Sequence, residues 1–159
     1  MDFDKVFAFI DAMNREGVDY ITFGAVALCF QGVVRASTDA DFFIRPERTN
    51  IERLKRALRC VWDDPHVDEI CADDLIGDYP LIAYGPPGET FNVDFLTRLD
   101  DITYDSLSSE LIEYEGIAIR VATAAKLYEL KSNSVRLHDK ADALRLRAKY
   151  PWLEGDAGL

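Results

Sequence analysis

The chain has 159 residues, 48% of them apolar, which suits one packed domain and argues against a disordered or collagen-like polymer. Its net charge of −11, from 29 acidic and 18 basic residues, argues against a dedicated duplex-DNA binder, which needs excess Lys and Arg to displace counterions. Three cysteines, Cys29, Cys60 and Cys71, lack any C-x-x-C spacing, so they fit reduced thiols in a cytoplasmic protein better than a disulfide frame or a zinc site.

Met1-Asp2-Phe3-Asp4-Lys5 is acidic where a signal peptide is basic. The longest apolar run, Phe23 to Phe30, contains a glycine and falls far short of the ~18–20 residues of a membrane span, so no membrane association is expected. Phe3, Val6, Phe7, Ile10 and Met13 recur at helical spacing and predict a helix over 3–16, stopped by Gly17. Asp19 to Phe23 suits a strand, and Ala25 to Gln31 reads as a short buried helix. Thr38 to Ile44 is a β-like run with Pro46 beyond it. Asn50 is expected to cap a helix over 51–60 with the stripe Ile51, Leu54, Leu58. Two strands, 81–84 and 91–96, flank the turn Gly85-Pro86-Pro87-Gly88. A strand over 117–121 leads to Thr123, which caps a helix over 124–132, and a second basic helix runs over about 136–149. The order α-β-α-β-α-β-β-β-α-α predicts an α+β (mixed α/β) fold: a small mixed sheet flanked by helices, with a C-terminal helical pair.

Charge is distributed unevenly along this order. Residues 62–115 carry 15 acids and one base, Arg98, whereas residues 116–150 carry eight bases and three acids. The acidic total therefore conceals local positive surface that can face an anion.

Three suggestive motifs carry no chemistry. Gly85 to Thr90 lacks the G-K-[ST] ending of a phosphate loop. His138-Asp139 would need further histidines to hold a metal, and the chain offers only His66 besides. No G-x-S-x-G elbow is present. Asp39-Ala40-Asp41 is different. Carboxylates at i and i+2 of a strand share one face and can reach one hard cation or two neighbouring ones. The spacing by itself means little, since the aspartate-rich chain also contains Asp2/Asp4. Its context gives it weight: Asp41 is followed by Phe42-Phe43-Ile44, and Phe91-Asn92-Val93-Asp94-Phe95-Leu96 again sets a lone Asp in an apolar strand. Carboxylates on buried strands with no basic neighbour are costly unless a metal compensates them. Gly24-Ala25, between a strand and a short helix, is a place where small residues let backbone N–H groups approach a phosphate.

Gly24-Ala25-Val26-Ala27, then Gly32, then Arg35-x-Ser37-x-Asp39-x-Asp41 resembles the signature of small polymerase-beta-like nucleotidyltransferases, most closely the branch containing AbiEii-type toxins. Asp94 falls where that family has its third carboxylate, and Lys131, Arg136, Asp139 and Asp142 match a lysine and an R-x-x-D-x-x-D on its C-terminal helices. The resemblance covers roughly residues 19–147. It implies one domain over 1–150, with a core at about 19–121, helices at about 124–149, and a tail over 151–159.

The resemblance also implies a metal-dependent transfer of a nucleoside monophosphate from an NTP to a hydroxyl. Asp39, Asp41 and Asp94 would be the catalytic carboxylates and the ligands of two Mg²⁺ ions, with Mn²⁺ as a substitute. Gly24, Ala25, Arg35, Ser37 and Lys131 would bind the nucleotide. The acceptor would be RNA or tRNA or a protein in a toxin–antitoxin role, or a small molecule such as an antibiotic. An antitoxin or a second copy of the chain is a further expected partner. Two departures stand out: Ala25 replaces the family's Gly or Ser, and no acceptor-binding domain follows the core. They support an alternative, a catalytically idle nucleotidyltransferase fold acting as a binding or regulatory module.

Overall fold

A computed structural model describes residues 1–154 of the chain. The first helix, α1 (Phe3–Glu16), begins where the Asp2 carboxylate accepts the Lys5 N–H at 3.2 Å. It ends at Gly17, whose φ of 71° lets its N–H reach the Asn14 and Met13 carbonyls. Its buried stripe is Val6, Phe9, Ile10, Ala12 and Met13, so Phe9 faces the core while Phe3 is exposed. Strand β1 (Tyr20–Phe23) runs directly into α2 (Gly24–Phe30), and β2 (Asp39–Ile44) returns antiparallel to β1.

Helix α3 (Arg48–Val61) starts two residues before the expected cap. Asn50 does not cap it. Its side chain is buried and accepts the Asp19 N–H at 2.8 Å while donating to the Asp19 and Arg45 carbonyls, each at 3.0 Å. It thus ties the outer ends of β1 and β2 to α3. An acidic stretch without apolar periodicity then forms a 3-10 turn (Pro65–Glu69) and the short helix α4 (Ala72–Ile76). The expected hairpin follows as β3 (Leu81–Tyr84) and β4 (Asn92–Leu96), joined through the Pro-Gly turn. Next come a two-residue ribbon, β5 (Arg98–Leu99) with β6 (Ile102–Thr103), and a hairpin of β7 (Ser109–Tyr114) with β8 (Ile117–Ala122).

The fold is α+β, built on a six-stranded mixed sheet of order β3-β4-β2-β1-β8-β7. β2 pairs parallel with β4, and β1 with β8; the other pairs are antiparallel. Thr123 caps α5 (Ala124–Ser132) by accepting the Lys126 N–H, and α6 (Leu137–Lys149) completes the helical pair. The segment expected as a tail opens as a 3-10 turn (Pro151–Glu154) that buries Leu153; residues 155–159 of that expected tail lie outside the described residues.

Alternation along the central strands sorts their side chains into two sets. Phe42 of β2 and Phe95 of β4 meet Phe9 of α1, with ring centroids 5.6 and 6.0 Å apart. Asp39, Asp41 and Asp94 alternate with these core residues and point to the opposite face. Among the described residues no helix is long and apolar enough to cross a membrane, and the three cysteines are unpaired.

Candidate functional site

Parallel pairing places Asp41 directly beside Asp94, and Asp39 beside Asn92. Neighbouring strands lie about 4.8 Å apart, so two carboxylates on one face of adjacent strands crowd each other. Burial raises the Asp41 carboxyl to about 6, and the charges of Asp94 and Asp39 add to the rise against the pull of Lys131 and Arg35. Burial and the Asp39 charge likewise raise Asp94. Oδ1 of Asp94 is buried and has no hydrogen-bond partner. An orphaned carboxylate oxygen is expensive unless something outside the fold completes it.

Two local features hold this edge in shape. Gly24 has φ 60°, a region that favours glycine, and a Cβ there would overlap Oδ2 and Cγ of Asp41. The backbone of the β1–α2 junction therefore passes tight against the carboxylate. Ser37 fixes the start of β2: its hydroxyl donates to the Asp39 carbonyl at 3.0 Å and accepts the Asp39 N–H at 3.1 Å.

The carboxylates open onto a cleft of about 1040 Å³. Asp39, Asp41, Asp94, Gly24, Arg35, Ser37 and Lys131 all line it. Ala25 does not. It is buried and borders a separate cavity of about 140 Å³ beside Met1, Phe3 and Cys29, so its methyl group does not enter the cleft. Of the expected Gly24-Ala25 pair, only Gly24 lines the cleft.

Another part of the lining is cationic, and Lys131 and Arg35 there are held by carboxylates. Lys131 at the end of α5 donates to Oδ1 of Asp139 at 2.9 Å and lies 3.1 Å from Oδ2 of Asp142. Nε of Arg35 donates to that same Asp142 oxygen at 3.0 Å. Burial opposes ionisation of Asp139, but hydrogen bonds from Lys131 and Ser134 hold its carboxyl below the ordinary value. Arg136 and the exposed His138 line the mouth of the cleft.

Sequence reasoning missed the third side. Leu81, Leu96, Leu99 and Ile102 form an apolar wall with Asp100 at the tip of the β5–β6 ribbon. The signal was thin: Asp100, at φ 50°, is the turn residue of a two-residue ribbon, too short to register as a strand pattern.

No protein-family model matches the chain, and no curated protein sequence is similar to it. Among solved structures the chain is similar to the crystal structure of ANT(2")-Ia in complex with adenylyl-2"-tobramycin, at 11% identity and a TM-score of 0.49, over 96% of this chain and 97% of that one.

In chemistry, though not as a preformed site, the three carboxylates suit a hard divalent cation. Such ions prefer carboxylate oxygens, and the mutual repulsion and the orphaned Asp94 oxygen are what a dication relieves. Among the described residues, no group of three or more His, Cys, Asp or Glu side chains is placed so that it could hold a metal ion.

Proposed function

We propose that the protein is a nucleotidyltransferase that moves a nucleoside monophosphate from an NTP to a hydroxyl acceptor. The observation that carries the reading is the pairing of Asp41 with Asp94 on adjacent parallel strands, pressed against a glycine that leaves no room for a side chain, in one cleft with Arg35 and Lys131. Such a cleft has a cation-seeking side and an anion-seeking side, which is what a metal-bound triphosphate presents.

In this reading Arg35 and Lys131 bind the phosphate chain through N–H groups not engaged by Asp139 or Asp142. Ser37 keeps the Asp39 backbone fixed, and Gly24 lets the main chain approach the phosphates. Asp39, Asp41 and Asp94 would hold Mg²⁺, which when bound supplies charge neutralisation at the reacting phosphate. The acceptor oxygen bonds to the α-phosphorus, the bond from that phosphorus to the pyrophosphate oxygen breaks, and pyrophosphate departs. Asp94, beside Asp41 on the neighbouring strand, would accept the hydroxyl proton. The apolar wall beyond Asp94 is where the acceptor would lie, whether a hydroxyl of RNA, of a protein or of a small molecule.

A thermal-shift series with each of the four NTPs, with and without Mg²⁺, tests this. A ligand at 100 times its Kd stabilises the fold by about 2.7 kcal/mol. The expected result is a Mg²⁺-dependent shift for at least one NTP that disappears in Asp39→Asn/Asp41→Asn. No shift with any NTP overturns the reading and favours the idle binding module.

A further inference from the structure

Asp142 is fully buried and lies beneath the cleft without lining it. A carboxylate removed from water must be compensated by charge and hydrogen bonds. Its compensation is unusual in origin. Oδ2 accepts from Nε of Arg35 at 3.0 Å and lies 3.1 Å from Nζ of Lys131, while Oδ1 lies 3.4 Å from Nη1 of Arg145. Arg35 precedes β2 and Lys131 ends α5, so these two groups meet at one oxygen supplied by α6.

The donor inventory shows what this leaves free. An ammonium has three N–H donors, and Asp139 and Asp142 face two of those on Lys131. A guanidinium has five. Arg35 spends Nε on Asp142 and one Nη1 donor on the Ala36 carbonyl. Both side chains border the cleft, so the remaining donors are available there. Without the shared oxygen, two like charges on long, rotatable stems would repel and spread.

We propose that Asp142 is a positioning residue. It holds Arg35 and Lys131 side by side as one preorganised clamp for a polyphosphate chain, and stays bonded to both when the clamp is filled. The inference rests on the nucleotidyltransferase reading and adds a residue that touches no substrate. Preorganisation lowers the ordering cost of binding, so losing it weakens affinity even though every contacting group is still present.

The test is calorimetric titration of inorganic tripolyphosphate with Mg²⁺ into wild type, Asp142→Asn, Arg35→Ala/Lys131→Ala and the triple variant. Asp142→Asn should weaken binding roughly 10–100-fold, as loss of an orienting partner does at other sites. The same change should have no further effect once both cations are gone. A merely structural role would carry its loss into the double-variant background, and that result, or equal binding by Asp142→Asn and wild type, overturns the positioning role alone. Failure of wild type to bind tripolyphosphate overturns the nucleotidyltransferase reading and this inference with it. A ¹⁵N NMR measurement on wild type covers the case in which Asp142→Asn does not fold. The Arg35 Nε–H signal should remain protected from exchange on adding Mg²⁺-tripolyphosphate, and its loss of protection would show that Asp142 is displaced and not an anchor.

Discussion

The two sides of the cleft solve the problem of buried charge in opposite ways. On the strands, Asp41 and Asp94 are crowded by each other and by Asp39, and one oxygen of Asp94 has no partner. On the helical pair, Asp139 and Asp142 are matched by Lys131, Arg35 and Arg145, each within hydrogen-bonding or ion-pairing distance. The first arrangement costs stability until something cationic arrives. The second is complete in the free protein. On the function proposed above, the strand wall would take up positive charge, and Arg35 and Lys131 would present oriented donors.

Single substitutions should therefore have opposite signs on the two walls. Lys131→Met leaves the buried Asp142 and its neighbour Asp139 short of a partner, and should cost about 2–3 kcal/mol in urea denaturation. Asp41→Asn relieves repulsion and should stabilise the metal-free protein by about 1–2 kcal/mol at pH 7. If both destabilise alike, the contrast fails. Gly24→Ala tests how tightly the strand wall is closed. A methyl group at φ 60° against Asp41 should cost about 2 kcal/mol, read from the same transitions. An unchanged midpoint would mean the junction does not pass against the carboxylate.

The pH dependence sharpens the same contrast. Asp41 titrates near 6 in the folded chain against 3.8 for its ordinary value, so the proton binds more tightly to the folded state. Its stabilising contribution is complete below the unfolded value and is lost as pH rises through about 6. Asp139 behaves in reverse: its lowered carboxyl adds stability above its unfolded value of 3.8 that is lost as pH falls through the lower folded value. Denaturation midpoints of wild type, Asp41→Asn and Asp139→Asn between pH 3 and pH 8 should show Asp41→Asn gaining on wild type toward neutral pH. Asp139→Asn should lose least near pH 3. The smallest effect belongs to the surface. Arg59→Ala removes an exposed pair with Asp68 and should change stability by less than about 0.5 kcal/mol.

Much of the acidic wall was legible in the chain because the residues that make it are wrong for their surroundings. Asp41 before Phe42-Phe43-Ile44 and Asp94 inside Phe91 to Leu96 are charges in apolar strands, and the pattern marks them without a structure. The sequence could not show that the strands are adjacent and parallel, which is what makes Asp41 and Asp94 neighbours. The helical wall was half visible. Lys131, Asp139, Asp142 and Arg35 were marked only by the family resemblance, and nothing local in the sequence pairs Arg35 with Asp142, 107 positions away. Asn50 looked like a helix cap because caps are decided by local chemistry, whereas here tertiary hydrogen bonds to Asp19 and Arg45 claim its side chain. β7 was invisible for the opposite reason. It is a mostly exposed edge strand without alternation, and only Glu115-Gly116, both with positive φ, marked its turn.

The sheet order also fixes a sequence of events. β1, β2, β3 and β4 all lie within the first 96 residues, but β1 gains its other neighbour only when Thr22 meets Val121 of β8. During synthesis from the N-terminus, the strands bearing the three carboxylates emerge and can pair before the helices bearing Lys131 and Asp142 exist. The late, long-range closure then adds β8 and the helices that carry Lys131 and Asp142. Pulsed hydrogen exchange during refolding should find the β2–β4 amides protected ahead of those of β8.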